Sequence, residues 1–148
     1  MPESIDRTSL EILNLLSTNS RMSVKEISQA VLLSEPSVKK RIDKMTDLGI
    51  IKSFTTRVFL PKIGYDIIFF TSVSNLSITN SAFLEKVSQT KEFIECYSVT
   101  GRENYLIKGV AQNIQEVESI LNELTQIANV ETSIVLEEIN LVNQLYKQ

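Results

Sequence analysis

The sequence predicts an α+β protein in two parts. Three short helices and a strand pair come first, then six elements in the order strand, helix, strand, strand, helix, strand. Two observations carry the first part. Residues 23–57, SVKEISQAVLLSEPSVKKRIDKMTDLGIIKSFTTR, hold two helix-start signals and a glycine stop, and a basic, strand-like stretch follows at once. Beyond Gly64, runs rich in β-branched and aromatic residues alternate with helical patterns. Pro61 and Gly64 mark the change, so domains are expected at 1–60 and 61–148.

Asp6 is placed to cap a first helix with apolar positions Leu10, Leu13 and Leu16, Ile12 beside them, and Asn19 to Met22 breaks it. Ser23 and Glu26 form an S-x-x-E capping box ahead of Ile27, Ala30 and Val31. Ser34 can cap a third helix, and Pro36 is tolerated in its first turn, where a missing N–H costs nothing. That helix buries Val38, Ile42, Met45 and Leu48 and stops at Gly49. Ile50-Ile51 and Thr55 to Leu60 read as the two strands of a wing. Three helices and a wing form a winged helix-turn-helix, which places one helix in the DNA major groove.

The later strands are expected at Tyr65–Ser74, Phe93–Val99, Asn104–Ala111 and Val130–Glu137, with helices at about Asn80–Gln89 and Ile114–Ala128. A βαββαβ order is the ferredoxin-like arrangement, with both helices on one face of an antiparallel sheet. Both faces of the first strand are apolar, with Ile67 and Phe69 opposite Ile68 and Phe70. In the second strand Phe93, Tyr97 and Val99 are expected opposite Ile94 and Cys96. The face without helices then needs a cover: a second copy is the simplest, and the tail Leu141, Val142, Leu145 and Tyr146 the other.

Composition limits the function. The net charge of −3 hides a split: residues 1–64 carry ten Lys/Arg and seven Asp/Glu, residues 65–148 five and eleven. Within 39–62, Lys39, Lys40, Arg41, Lys44, Lys52, Arg57 and Lys62 face only Asp43 and Asp47, a local +5 suited to phosphate. A single cysteine, Cys96, excludes an intrachain disulfide, fits a reducing cytoplasm and is expected in the core. With no histidine, and no GxSxG, HExxH or P-loop motif, neither catalysis nor a metal or other cofactor is expected. No apolar run is long enough to span a bilayer.

Glu35, Pro36 and Ser37 begin the third helix, where such proteins meet base edges; Ser37 offers a hydrogen bond and Pro36 an apolar contact for a thymine methyl. Lys39 and Lys40 are expected near bases or phosphates and Lys44 on phosphate. Lys52 and Arg57 on the wing would grip the backbone, and Arg41 would brace the domain and touch phosphate.

From Ile5 to Leu136 the chain resembles the Lrp/AsnC (leucine-responsive / asparagine-operon) family of transcription factors. The matching blocks are Ile5-Asp6 with Ile12-Leu13, Asn19-Ser20-Arg21, Leu33-Ser34 with Val38, Arg41 and Ile42, Leu48-Gly49-Ile50-Ile51, Pro61 to Gly64, and Thr100-Gly101 with Tyr105. The resemblance implies a winged helix-turn-helix, a domain that binds amino acids, and homodimers assembling into octamers or similar rings. Family effectors sit between dimers near the loop joining the second and third strands, here Thr100, Gly101, Arg102, Glu103 and Asn104. Gly101 would admit a ligand carboxylate to backbone N–H groups, Glu103 or Asn104 would take its ammonium, and Thr132 and Ser133 would offer hydroxyls. The chain departs from the family at Leu32, where a glycine is usual, at Asn104, where an acid is usual, and at Ser53-Phe54, where Gly-Tyr is often found.

Two other functions compete with this reading. Some relatives of this architecture resemble tetrapyrrole (sirohaem) decarboxylases, whose chemistry is expected to lean on His and Arg. The other is an assembly partner that has lost DNA binding.

Overall fold

The computed structural model describes residues 5–139. The chain divides into two compact units, the first within Met1–Arg57 and the second Val58–Glu138. The tail residues Leu141, Val142, Leu145 and Tyr146 lie outside the described residues.

The first unit holds α1 (Arg7–Thr18), α2 (Val24–Val31) and α3 (Glu35–Asp47). Each starts where a short polar side chain can take orphan N–H groups. Asp6 Oδ1 accepts from Ser9 N at 2.8 Å. Ser23 and Glu26 close a reciprocal box, with Ser23 N donating to Glu26 Oε2 at 2.7 Å and Glu26 N to Ser23 Oγ at 3.2 Å. Ser34 Oγ caps α3 through Ser37 N. Ile12, Leu16, Ile27, Val38 and Met45 form the buried core, and Leu13, Leu33, Ile42, Ile50 and Ile51 pack on it. Ile12 rather than Leu10 leads the buried stripe of α1, and Ala30, expected inside, is exposed.

The wing strands expected at Ile50-Ile51 and Thr55 to Leu60 are not formed; residues 52–59 belong to no helix or strand. The end of α3 explains the first. Gly49, at φ +70°, donates to Thr46 O at 2.9 Å, and Ile50 donates to Met45 O at 2.9 Å. This is the Schellman pattern, made possible by a glycine that tolerates the left-handed region. Ile51 N also goes to Met45 O, so both isoleucines commit their donors to the helix end rather than to a ladder.

The second unit starts with a 3-10 turn at Leu60–Ile63 and continues β1 (Ile67–Ser74), α4 (Asn80–Gln89), β2 (Phe93–Ser98), β3 (Tyr105–Ala111), α5 (Ile114–Thr125) and β4 (Asn129–Ile134). The sheet order is β2-β3-β1-β4 and every neighbouring pair is antiparallel. This is the expected ferredoxin-like topology. Phe69, Val73, Tyr105 and Ile107 meet Phe83 and Val87 of α4 and Val117 and Leu124 of α5 on one face. Gly109 is part of that packing: a Cβ there would lie 2.2 Å from Phe69 Cζ, so the ring occupies the space a side chain would need. Buried Thr71 is satisfied by the Thr132 hydroxyl, 2.8 Å away.

Two expectations for β2 are corrected. The ladder with β3 pairs Phe93 with Gly109 and Glu95 with Lys108, then slips at Ile94. That single unpaired residue reverses the sides of everything after it. Cys96 thus shares the Ile107 row on the helix side, and Tyr97 joins Leu106 on the open side, the reverse of the expected alternation. Cys96 is nonetheless exposed, because β2 is an edge strand, so it is not a core residue. The open face is also less uniformly apolar than expected. Lys108 pairs with Glu95 at 3.4 Å and Glu138 at 3.9 Å, 6.0 Å above the Phe70 ring.

Candidate nucleic-acid interface and effector loop

Helix α3 has two unlike sides. Val38 and Met45 are buried and Ile42 half-buried against α1 and α2, which forces Lys39, Lys40 and Lys44 outward, all exposed. Glu35, Pro36 and Ser37 occupy the exposed first turn. Two shallow depressions lie there. One is lined by Val24, Glu35, Pro36 and Lys39, the other by Pro36, Lys39, Lys40, Asp43, Lys44 and Asp47. The Ser37 hydroxyl is 2.8 Å from Ser34 Oγ, so it belongs to the helix cap as well as to any contact beyond it.

Arg41 is committed inward. Its Nη1 donates to Asp6 Oδ1 and Oδ2, at 2.8 and 2.6 Å, and to Ser9 Oγ at 2.9 Å. The guanidinium thus ties α3 to the N-cap of α1. Its hydrogen bond, followed by that of the Ser9 backbone, holds the Asp6 carboxyl at about 2, below the usual range. Sequence shows Asp6 as a cap and Arg41 as a brace, but not their pairing. The two stand 35 residues apart, and no local spacing announces it.

The turn between α2 and α3 passes through Leu32 at φ 55°, ψ 41°, the left-handed region that a glycine would enter without strain. Its side chain is 90% exposed. Lys52 and Arg57 lie, exposed, on the extended segment that follows α3, beside a groove formed with Leu13, Leu16 and residues 17–21.

In the second unit, residues 100–104 form the loop between β2 and β3. Val99 N donates to Asn104 O at 3.1 Å and Asn104 N to Val73 O at 2.7 Å, so its two ends are held. Gly101 has φ +114°, where a side chain would be strained. Thr100, Arg102 and Asn104 are exposed and Glu103 is half-buried. Thr132 and Ser133 are not brought together on this loop. Thr132 pairs with Thr71 on the helix-covered face, whereas Ser133 is across from Phe70 on the open face.

The fold and the charged α3 can be set beside known proteins. Residues 5–52 match the family model described as winged helix-turn-helix DNA-binding, and residues 73–144 that of the Lrp/AsnC ligand binding domain. The proline dehydrogenase transcriptional activator of Rhizobium radiobacter is 32% identical, over 93% of this chain and 92% of its own. The HTH-type transcriptional regulator LrpC of Bacillus subtilis (strain 168) is 29% identical, over 94% and 96%. The solved structure of B. subtilis LrpC superimposes with a TM-score of 0.88 at 26% identity, covering 93% of this chain and 99% of LrpC. A transcriptional regulator from Neisseria meningitidis, NMB0573, solved as a complex with L-Met, has the same fold (TM-score 0.84, 22% identity, 93% of each chain). With a DNA-binding match on the helical unit and a ligand-binding match on the sheet, the chain belongs to the Lrp/AsnC family of transcriptional regulators.

Proposed function

We propose that this family member is a cytoplasmic, non-enzymatic regulator of transcription. Residues 1–60 bind double-stranded DNA; residues 61–148 sense an amino acid or similar small effector and assemble the protein. The observation that carries the reading is the division of α3 into a buried apolar row and an exposed row of Lys39, Lys40 and Lys44. An anionic partner accounts for clustered basic residues on a chain of net charge −3. Lys39 and Lys40 reach bases or phosphates, Lys44, Lys52 and Arg57 phosphates, and Arg41 holds α3 at the correct angle. Glu35, Pro36 and Ser37 stand nearest the base edges.

The effector is read by Thr100, Gly101, Arg102, Glu103 and Asn104. The L-Met complex of the Neisseria relative supports an amino acid as its class. Thr132 and Ser133 face opposite sides of β4, so at most one of them serves a given ligand on this chain. Homodimers form across the open sheet face, where Phe70, Leu106 and Tyr97 lie, and assemble further into an octamer. An effector bound between dimers then changes assembly only as far as it prefers one assembly to another.

The test is fluorescence anisotropy of the full chain on its own upstream DNA and on a scrambled duplex at two salt concentrations. Tighter, salt-sensitive binding to the upstream fragment is expected. Replacing Lys39 and Lys40 together by Ala should weaken binding to both duplexes and flatten the salt slope by about 0.9 for each phosphate no longer neutralised. No binding to either duplex at low salt, with or without amino acids, would refute the reading.

A further inference from the structure

We infer that Glu35 is a specificity-determining residue, reading a cytosine amino group in the major groove beside an apolar contact made by Val24 and Pro36. This rests on the DNA-binding reading above and goes beyond it by naming the chemistry of one base position. Glu35 is the first residue of α3, exposed, on the rim of a depression shared with Val24 from α2 and with Pro36 and Lys39. It stands four residues before Lys39, a spacing that favours pairing along a helix, yet among the described residues the two form no ion pair. The carboxylate is therefore available on the side of the helix that meets DNA.

An unpaired acid there carries a penalty that only a particular partner removes. Toward phosphate it is repulsive, and it lowers affinity for any duplex that offers it nothing else. In the major groove the exocyclic amines are the donors it can accept, and cytosine N4 is the usual partner of Glu. Thymine presents O4 at the same place and repels a carboxylate. Val24 and Pro36 add a floor without donors or acceptors, suited to a neighbouring thymine methyl. The side chain thus acts by exclusion as much as by attraction.

The experiment is selection of binding sites from a randomised duplex library by the full-length protein and by Glu35→Ala and Glu35→Gln. The unaltered protein should enrich a motif with cytosine fixed at one position of each half-site. Glu35→Ala should lose that preference, about tenfold in discrimination, leave the other positions unchanged, and bind random duplex more tightly. Glu35→Gln should move the preference toward adenine, with which an amide pairs well. A carboxylate that merely favours the helix end would give a lower melting temperature and an unchanged motif in Glu35→Ala; that result overturns the inference while the regulator reading stands. No motif enriched by the unaltered protein overturns both.

Discussion

Leu32→Gly should make the protein more stable while leaving DNA affinity alone. Leu32 closes α2 at φ 55°, ψ 41°. An L-residue in that region is disfavoured by about 1–2 kcal/mol, because Cβ crowds the following carbonyl. Its side chain is 90% exposed, so truncation forfeits almost no packing. Against this, glycine gains freedom in the unfolded chain, worth about 0.5–1 kcal/mol. The balance favours Leu32→Gly by roughly 0.5–1 kcal/mol, or about 2–8 °C in Tm for a unit of this size. Leu32→Ala is the control: it removes the side chain and keeps the strain, so it should be nearly neutral. Urea unfolding followed by far-ultraviolet circular dichroism is the assay. The chain has no tryptophan and three of its four tyrosines, Tyr65, Tyr97 and Tyr105, lie in the second unit, so tyrosine fluorescence reports mainly on that unit and circular dichroism on both. If Leu32→Gly were neutral or destabilising, the strain argument would fail; if Leu32→Ala stabilised as much, side-chain exposure would be the cause instead of backbone.

Gly109→Ala should destabilise the second unit by about 1–3 kcal/mol, read by tyrosine fluorescence, because its methyl would meet the Phe69 ring head-on. Adding Phe69→Leu should recover part of that loss, and a double variant no better than the single one would exclude the clash as its cause. For Asp6, the folded carboxyl titrates at about 2 against 3.8 unperturbed, so the unfolded chain binds more protons between those values. The stabilisation is therefore complete above about pH 4 and disappears as pH falls through 2. Arg41→Met should be less stable than the unaltered protein at pH 6, with the gap closing toward pH 2; a gap independent of pH would show that Arg41 acts by packing alone.

The parts of this fold that sequence reveals are those whose signal spans four residues or fewer. Ser23 with Glu26, Ser34 with Pro36, and Gly49 each carry a complete local reason for a helix to start or stop, and α2 and α3 lie where those residues put them. Helix α4 likewise spans the expected Asn80–Gln89. What was not legible depends on a partner elsewhere in the chain. The slip at Ile94 exists only in the pairing of β2 with β3, so a strict alternation through Phe93, Tyr97 and Val99 put Tyr97 and Cys96 on the wrong sides. The first wing strand failed for a related reason. Apolar and β-branched residues suit a strand, but Ile50 and Ile51 found acceptors first at the end of α3.

The same distinction explains what sequence can say of the interface. That Lys39, Lys40 and Lys44 point outward follows from the helical period and from burial of Val38 and Met45. That Arg41, one position from Lys40 and equally basic, points inward does not. Its direction is set by Asp6, whose own position is fixed by its role as cap of α1, with Ser9 as the third partner. One carboxylate thus starts one helix and orients another, and that joint constraint commits Nη1 of the guanidinium to Asp6 and Ser9. Counting cations alone therefore does not separate this tied arginine from the outward lysines. A salt slope measured for Arg41→Met should accordingly change less than that for Lys40→Ala, even if the missing brace lowers its affinity more.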